Sequence, residues 1–202
     1  MNRYLSSALI LSFTAAMTLG VAAQTNRPAA QASQDPSDSM SKSSAAGMPM
    51  ADARFMKKAA AGGMAEVEMG KLAVQKASSD QVKQFGQRMI DDHSKANEQL
   101  NQLALQQHID LPRQPYAKDK ETKARLEKLS GVEFDQAYMT DMVNDHKQDV
   151  TEFQQESKSA KDPALKSFVE QTLPVLREHL SQAQQILPAQ KAEADHAGNP
   201  GR

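Results

Sequence analysis

Apolar residues recur every three or four positions through four long stretches of this chain, and strand-like alternation is almost absent. That confines the chain to helices packed through amphipathic faces. The first stretch, about residues 53–77, places Phe55, Ala59, Gly62, Glu66, Met69 and Ala73 on one face. Asp52 stands where an N-cap is expected. The Gly62–Gly63 pair marks either a kink or a close approach of another backbone. The second stretch follows "SSDQ", where Ser78 and Gln81 are spaced as a capping box, and carries Val82, Phe85, Met89, His93, Ala96, Leu100 and Leu103. It ends at "IDLPRQP", because Pro112 and Pro115 cannot continue a helix.

The third stretch opens with a second capping box, Ser130 and Glu133, and with Leu129 and Phe134 spaced as a hydrophobic staple. Its stripe is Met139, Met142, Val143, His146, Val150 and Phe153. The fourth opens with Asp162 as N-cap and Pro163 at the first helical position, and carries Leu165, Phe168, Val169, Thr172, Val175, Leu176, His179, Ala183 and Ile186. Pro174 lies inside it and predicts a kink near His179. Two short turns and one long middle connection, residues 109–130 with a short charged helix in "KDKETKARLEKL", join these stretches. The fold class is therefore all-α: a ferritin-like four-helix bundle with a long connection between helices 2 and 3. Matches at an offset of 53, such as His93 with His146 and Met89 with Met142, suggest an internal repeat.

The ends read differently. Arg3, the apolar run Leu5–Val21 and the small residues before Gln24 predict a secretory signal peptide over 1–23. Residues 24–52, rich in Ala, Ser, Gln, Pro and Met, read as a disordered linker, and 189–202 as a disordered tail. The bundle domain is then 53–188, exported to the periplasm or secreted, with no membrane span after signal cleavage. Export permits disulfides, but the chain has no cysteine, so packing or a metal must stabilise it. Loss of residues 1–23 leaves 23 basic and 25 acidic residues, which offers no attraction to nucleic acid. No nucleophile motif and no Gly-rich phosphate loop is present.

The chemistry is concentrated in the stripes. Of five histidines, His93, His146 and His179 each lie in line with the apolar face of their helix and directly follow an acid: Asp92, Asp145 and Glu178. Glu66 occupies the same kind of position on the first helix. Three imidazoles and a carboxylate in one core would suit a divalent transition metal, with the three preceding acids as outer partners. A di-iron centre needs Glu three residues before His on two helices. Here those positions hold Ile90, Val143 and Leu176. The structural reading is a buried polar network that fixes helix register, or histidines at different heights that never meet. Buried neutral imidazoles would lower stability as pH falls through about 6.5, whereas cations paired with the acids would do the reverse. Met40, Met48 and Met50 could capture Cu(I) loosely, but their surroundings read as spacer. His108 belongs to a helix end and His196 to the tail.

The stretches "FMKKAAAGGMAEVEMGKLAVQKA", "VKQFGQRMIDDHSKANEQL", "FDQAYMTDMVNDHKQDVTEF" and "LPVLREHL" together resemble a family of exported bacterial proteins defined by a conserved domain of unknown function and formerly labelled predicted outer-membrane proteins. The resemblance runs from about Phe55 to Leu187. It implies a ferritin-like bundle in the bacterial envelope and no assigned reaction. Three functions follow as expectations. The first is a metal-binding bundle serving envelope stress or homeostasis. The second is a non-catalytic scaffold that meets an envelope protein partner and whose core histidines are structural. An oxidase-like enzyme ranks last, because the Glu-x-x-His spacing is missing.

Overall fold

The computed structural model describes residues 47–198. Five helices follow in order: α1 (Met50–Lys76), α2 (Asp80–Gln106), α3 (Ala117–Leu126), α4 (Gly131–Ser159) and α5 (Pro163–Gly198). The described residues are all helix, turn and coil, as the 3.6-residue periodicity predicts. No described helix is long and apolar enough to cross a membrane. The expected signal peptide, most of the expected linker and Met40 lie outside the described residues. Residues 189–198, expected as a tail, continue α5 as helix. Gln190 is buried there, with its amide 3.5 Å from the Ser79 hydroxyl, and "QKAEA" is a run of good helix formers. Pro174 and Pro188 both sit inside α5 without ending it.

Two buried aspartates set the directions of the bundle. Asp52 does not cap its own helix, which begins two residues earlier. Its carboxylate instead accepts the backbone N–H groups of Lys161 and Asp162, both at 2.8 Å, at the start of α5. Asp135, near the start of α4, accepts the N–H groups of Ser78 and Ser79 and the Ser78 hydroxyl at 2.6–3.1 Å, at the start of α2. The expected boxes at Ser78 and Ser130 are therefore not formed, and neither α2 nor α4 has a side-chain cap of its own. Asp162 does cap α5, accepting from Ala164 and Leu165 at 2.9 and 2.8 Å. The start of α1 thus lies beside the start of α5, and the start of α4 beside the start of α2. Helices α1 and α5 run one way and α2 and α4 the other. The crossover returns the length of the bundle between α2 and α4, with α3 held to α1 by Lys123–Glu68 at 2.9 Å and to α4 by Arg125–Asp141.

These two contacts also show the true repeat. Asp135 stands 83 positions after Asp52, and Lys161 stands 83 after Ser78. The offset of 53 pairs α2 with α4, which hold different places in their hairpins. At 83 the hairpins α1–α2 and α4–α5 superimpose in sequence: Met56 with Met139, Phe85 with Phe168, Glu66 with Asp149.

Glycine explains how tightly the first hairpin closes. A Cβ on Gly86 would lie 2.7 Å from the Ala73 Cβ and 3.0 Å from the Gly70 carbonyl, and one on Gly70 would lie 2.7 Å from the Gly86 carbonyl. This is where α1 and α2 touch backbone to backbone. The Gly62–Gly63 pair makes no break in α1. Gly62 faces open space, and Gly63 leaves room for the Asn97 side chain.

The core has two apolar clusters. One contains Met69, Phe85, Met89, Phe134, Tyr138 and Met142. The other contains Met56, Leu100, Phe153, Leu165, Phe168 and Leu176. Glu66 on α1, His93 on α2, His146 on α4 and His179 on α5 lie between the two.

Candidate metal centre

Helical spacing alone brings each polar residue to the core, because Glu66, His93, His146 and His179 replace apolar residues in the inward stripes. The crossed directions then bring them to one height. His93 follows Met89 and precedes Leu100, His146 lies between Val143 and Phe153, and His179 lies between Leu176 and Ala183. All three imidazoles are buried, with His146 and His179 fully shielded. Ring centroids are 5.7 Å apart for His93–His146 and 5.3 Å for each of the other two pairs. One nitrogen from each ring lies within 4.8 Å of the others.

Each ring is held through one nitrogen only. His93 Nδ1 is 2.9 Å from Glu66 Oε2. His146 Nδ1 donates to the Met142 carbonyl at 3.0 Å. His179 Nε2 donates to Asp92 Oδ2 at 2.8 Å. The remaining nitrogens, His93 Nε2, His146 Nε2 and His179 Nδ1, are buried without a hydrogen-bond partner, and so is Glu66 Oε1, 3.6 Å from His146 Nε2. Leaving four buried polar atoms unpaired in one layer is costly, at about 1–3 kcal/mol each. A hydrogen bond to one ring nitrogen fixes the tautomer that leaves the other with its lone pair free, which is how proteins prepare histidine for a metal.

The charge state agrees. Burial pushes His93 down to about 4, against the upward pull of Asp149 and Asp92. Burial takes His179 to about 4 as well, although Asp92 draws it back up. His146 is held well below the ordinary histidine range by burial and by the other two rings. All three are neutral at pH 7. Burial, and then the charge of Asp145, raises the Glu66 carboxyl well above its usual range, and burial with Glu66 does the same to Asp149. Asp92 goes the other way. Burial pushes it up, but the hydrogen bonds from His179 and Arg88 outweigh that and hold it low.

The expected outer partners divide. Asp92 reaches an imidazole, that of His179 rather than the neighbouring His93. Glu178 pairs with Arg88 at 2.9 Å and is more than half exposed. Asp145 bonds to none of the three rings; it lines a cavity of about 260 Å³ with Glu66 and His93. Asp149 lines the same cavity. The stripe reading passed over it, although "HKQD" places it three residues after His146 on the same helix face. Met48 packs against the second apolar cluster and Met50 is exposed, so neither joins the histidines. His108 ends α2 in the left-handed region, with φ 53°, as the residue that turns the chain away.

Fold and site define a class: an antiparallel helical bundle whose core is divided by a layer of neutral histidines and carboxyls. The chain belongs to the family of the domain of unknown function DUF4142, whose pattern it matches over residues 37–186. No curated protein matches it. Among solved structures it is similar to a DUF305 fragment from Deinococcus radiodurans, with a TM-score of 0.64 and 10% identity, over 71% of this chain and 99% of that one. At that identity the likeness concerns the fold alone.

Proposed function

We propose that this protein is an exported, periplasmic or secreted bundle that holds a divalent transition metal in its core and serves metal homeostasis or stress protection in the envelope. His93, His146 and His179 are the ligands, and Glu66 supplies a further oxygen or orients His93. One observation carries this reading: three imidazoles on three helices each spend one nitrogen on a partner and leave the other buried and unpartnered, and the three rings bring a nitrogen each to within 4.8 Å of the others. Zinc–nitrogen bonds of about 2.0–2.1 Å place tetrahedral ligand nitrogens about 3.3 Å apart, so each ring would move inward by at most about 1 Å. Borderline nitrogen donors favour Zn(II), Cu(II), Fe(II) or Ni(II) over Mg(II) or Ca(II). The N-terminal sequence supports export, because Arg3 and the run Leu5–Val21 have the form of a signal peptide.

The test is metal content of untagged protein, together with titration of the metal-free form by Co(II), whose visible absorption reports coordination number. One equivalent bound in wild type and none in His93→Ala or His146→Ala is the expected result. Absence of binding by Zn(II), Cu(II) and Co(II) alike would leave the histidines as a structural network and the protein as a scaffold for an envelope partner.

A further inference from the structure

Two cavities reach the histidine layer, and they differ in charge. The first, of about 260 Å³, is walled by α1, α2, α4, α5 and the start of α3, and its carboxylates are Glu66, Asp119, Asp145, Asp149 and Glu152 against Lys58 and Lys118. The second, of about 240 Å³, lies between α2 and α5 and carries one acid, Asp92, with Lys95. Asp92 is already engaged by His179 and Arg88.

Carboxylates on a helix face are usually solvated and need no ligand. Two further atoms change that reading here. Glu66 Oε1 and His93 Nε2 are unpartnered, their residues are 4% and 6% exposed, and both residues line the acidic cavity. Glu152 is held by Lys58, whereas Asp119, Asp145 and Asp149 are paired with no lysine or arginine among the described residues. Acids outside any ion pair therefore lead from the crossover inward to buried, unpartnered oxygen and nitrogen atoms.

We infer that the acidic cavity is a loading compartment, in which a hydrated divalent cation is held by Asp119 and Asp145 before transfer to the histidine layer. The inference rests on metal binding at that layer. Oxygen ligands of a partly wet cavity hold a hydrated cation without stripping its water, and nitrogen ligands in a dry core then take it. The acids act on arrival because a cleft lined by one sign of charge concentrates the opposite ion. The second cavity, whose one acid is already paired, does not serve this purpose.

The experiment follows Co(II) uptake by metal-free full-length protein in stopped flow, for wild type, Asp119→Asn, Asp145→Asn and the double variant. Glu98→Gln, on the exposed outer face of α2, controls for net charge. The double variant should take up the same amount of metal roughly tenfold more slowly at low ionic strength, with the gap narrowing in high salt. Each single variant should show part of the effect, and Glu98→Gln none. Uptake by the double variant within about twofold of wild type, or an equal slowing by Glu98→Gln, overturns the loading compartment while binding stands. Failure of wild type to take up metal, or undiminished uptake by His93→Ala, removes the binding reading itself and the compartment with it.

Discussion

The two hairpins of this bundle are alike at their ends and unlike in their middle. At the ends, Asp52 and Asp135 perform the same act 83 positions apart, each gripping the two residues that lead into a helix of the other hairpin. In the middle, Gly63 stands where the second hairpin has His146, Leu176 where the first has His93, and Ala96 where the second has His179. Only the acids Glu66 and Asp149 remain matched. A scaffold can thus keep twofold regularity in what closes it while its centre becomes one-sided. The ends are constrained by unsatisfied N–H groups that recur at every helix start. The middle is constrained only by what it must hold.

The largest expected effect breaks the likeness at the ends. Asp135→Ala strips several bonds from a fully buried carboxylate and should destabilise by about 3 kcal/mol in urea unfolding, with Asp52→Ala close behind. Strongly unequal effects would show that the two grips are not equivalent. The next prediction tests the middle. A metal present at about a hundred times its Kd should stabilise by about 2.7 kcal/mol, or roughly 5–10 °C in Tm, and His146→Ala should abolish the shift.

The close approach of α1 and α2 has no counterpart in the second hairpin, where Phe153 and Val169 occupy the positions equivalent to Gly70 and Gly86. Gly86→Ala should therefore cost about 1–3 kcal/mol, read in the same unfolding assay.

Acid should weaken the protein through its middle. Because His93 and His179 are lowered to about 4 from an ordinary value of 6.5, the unfolded chain gains protons before the folded one does, and stability falls as pH drops across that interval. Glu66 and Asp149 are shifted upward, so their protonation in the folded state opposes the loss. Asp149→Asn removes part of that opposition, and its Tm should fall by a few degrees more than that of wild type between pH 7.5 and pH 5. A parallel decline would mean that Asp149 is not coupled to the layer. Smallest of all, Gly62→Ala in open space and His108→Gly at φ 53° should each stabilise by about 0.5–1 kcal/mol.

Much of the architecture was legible before any coordinates. The helix period was sustained over long stretches, and the Asp162–Pro163 pair starts α5 as its chemistry requires, whereas α2 ends at Gln106, at the left-handed turn of His108, before the prolines at 112 and 115 are reached. The stripes also brought out Glu66, His93, His146 and His179 as inward residues, since a polar residue in register with apolar ones must turn inward with them. Asp52 and Asp135 were misread or missed because their partners lie on other helices, and sequence proximity says nothing of those. Asp149 was missed because an acid amid a polar run gives no sign of burial. The C-terminal extension of α5 reads as tail because polar residues at a chain end show no apolar period, yet its good helix formers continue the helix.

By itself the sequence determined that the chain makes amphipathic helices, where they break, and which side chains face inward, because these follow from local spacing and from what proline and glycine allow. Only the tertiary structure decided that the histidines share one height, that each keeps one nitrogen free, and that acids gather on one side of them. Those outcomes depend on the relative sliding and direction of helices, which are set by contacts between residues distant in the chain.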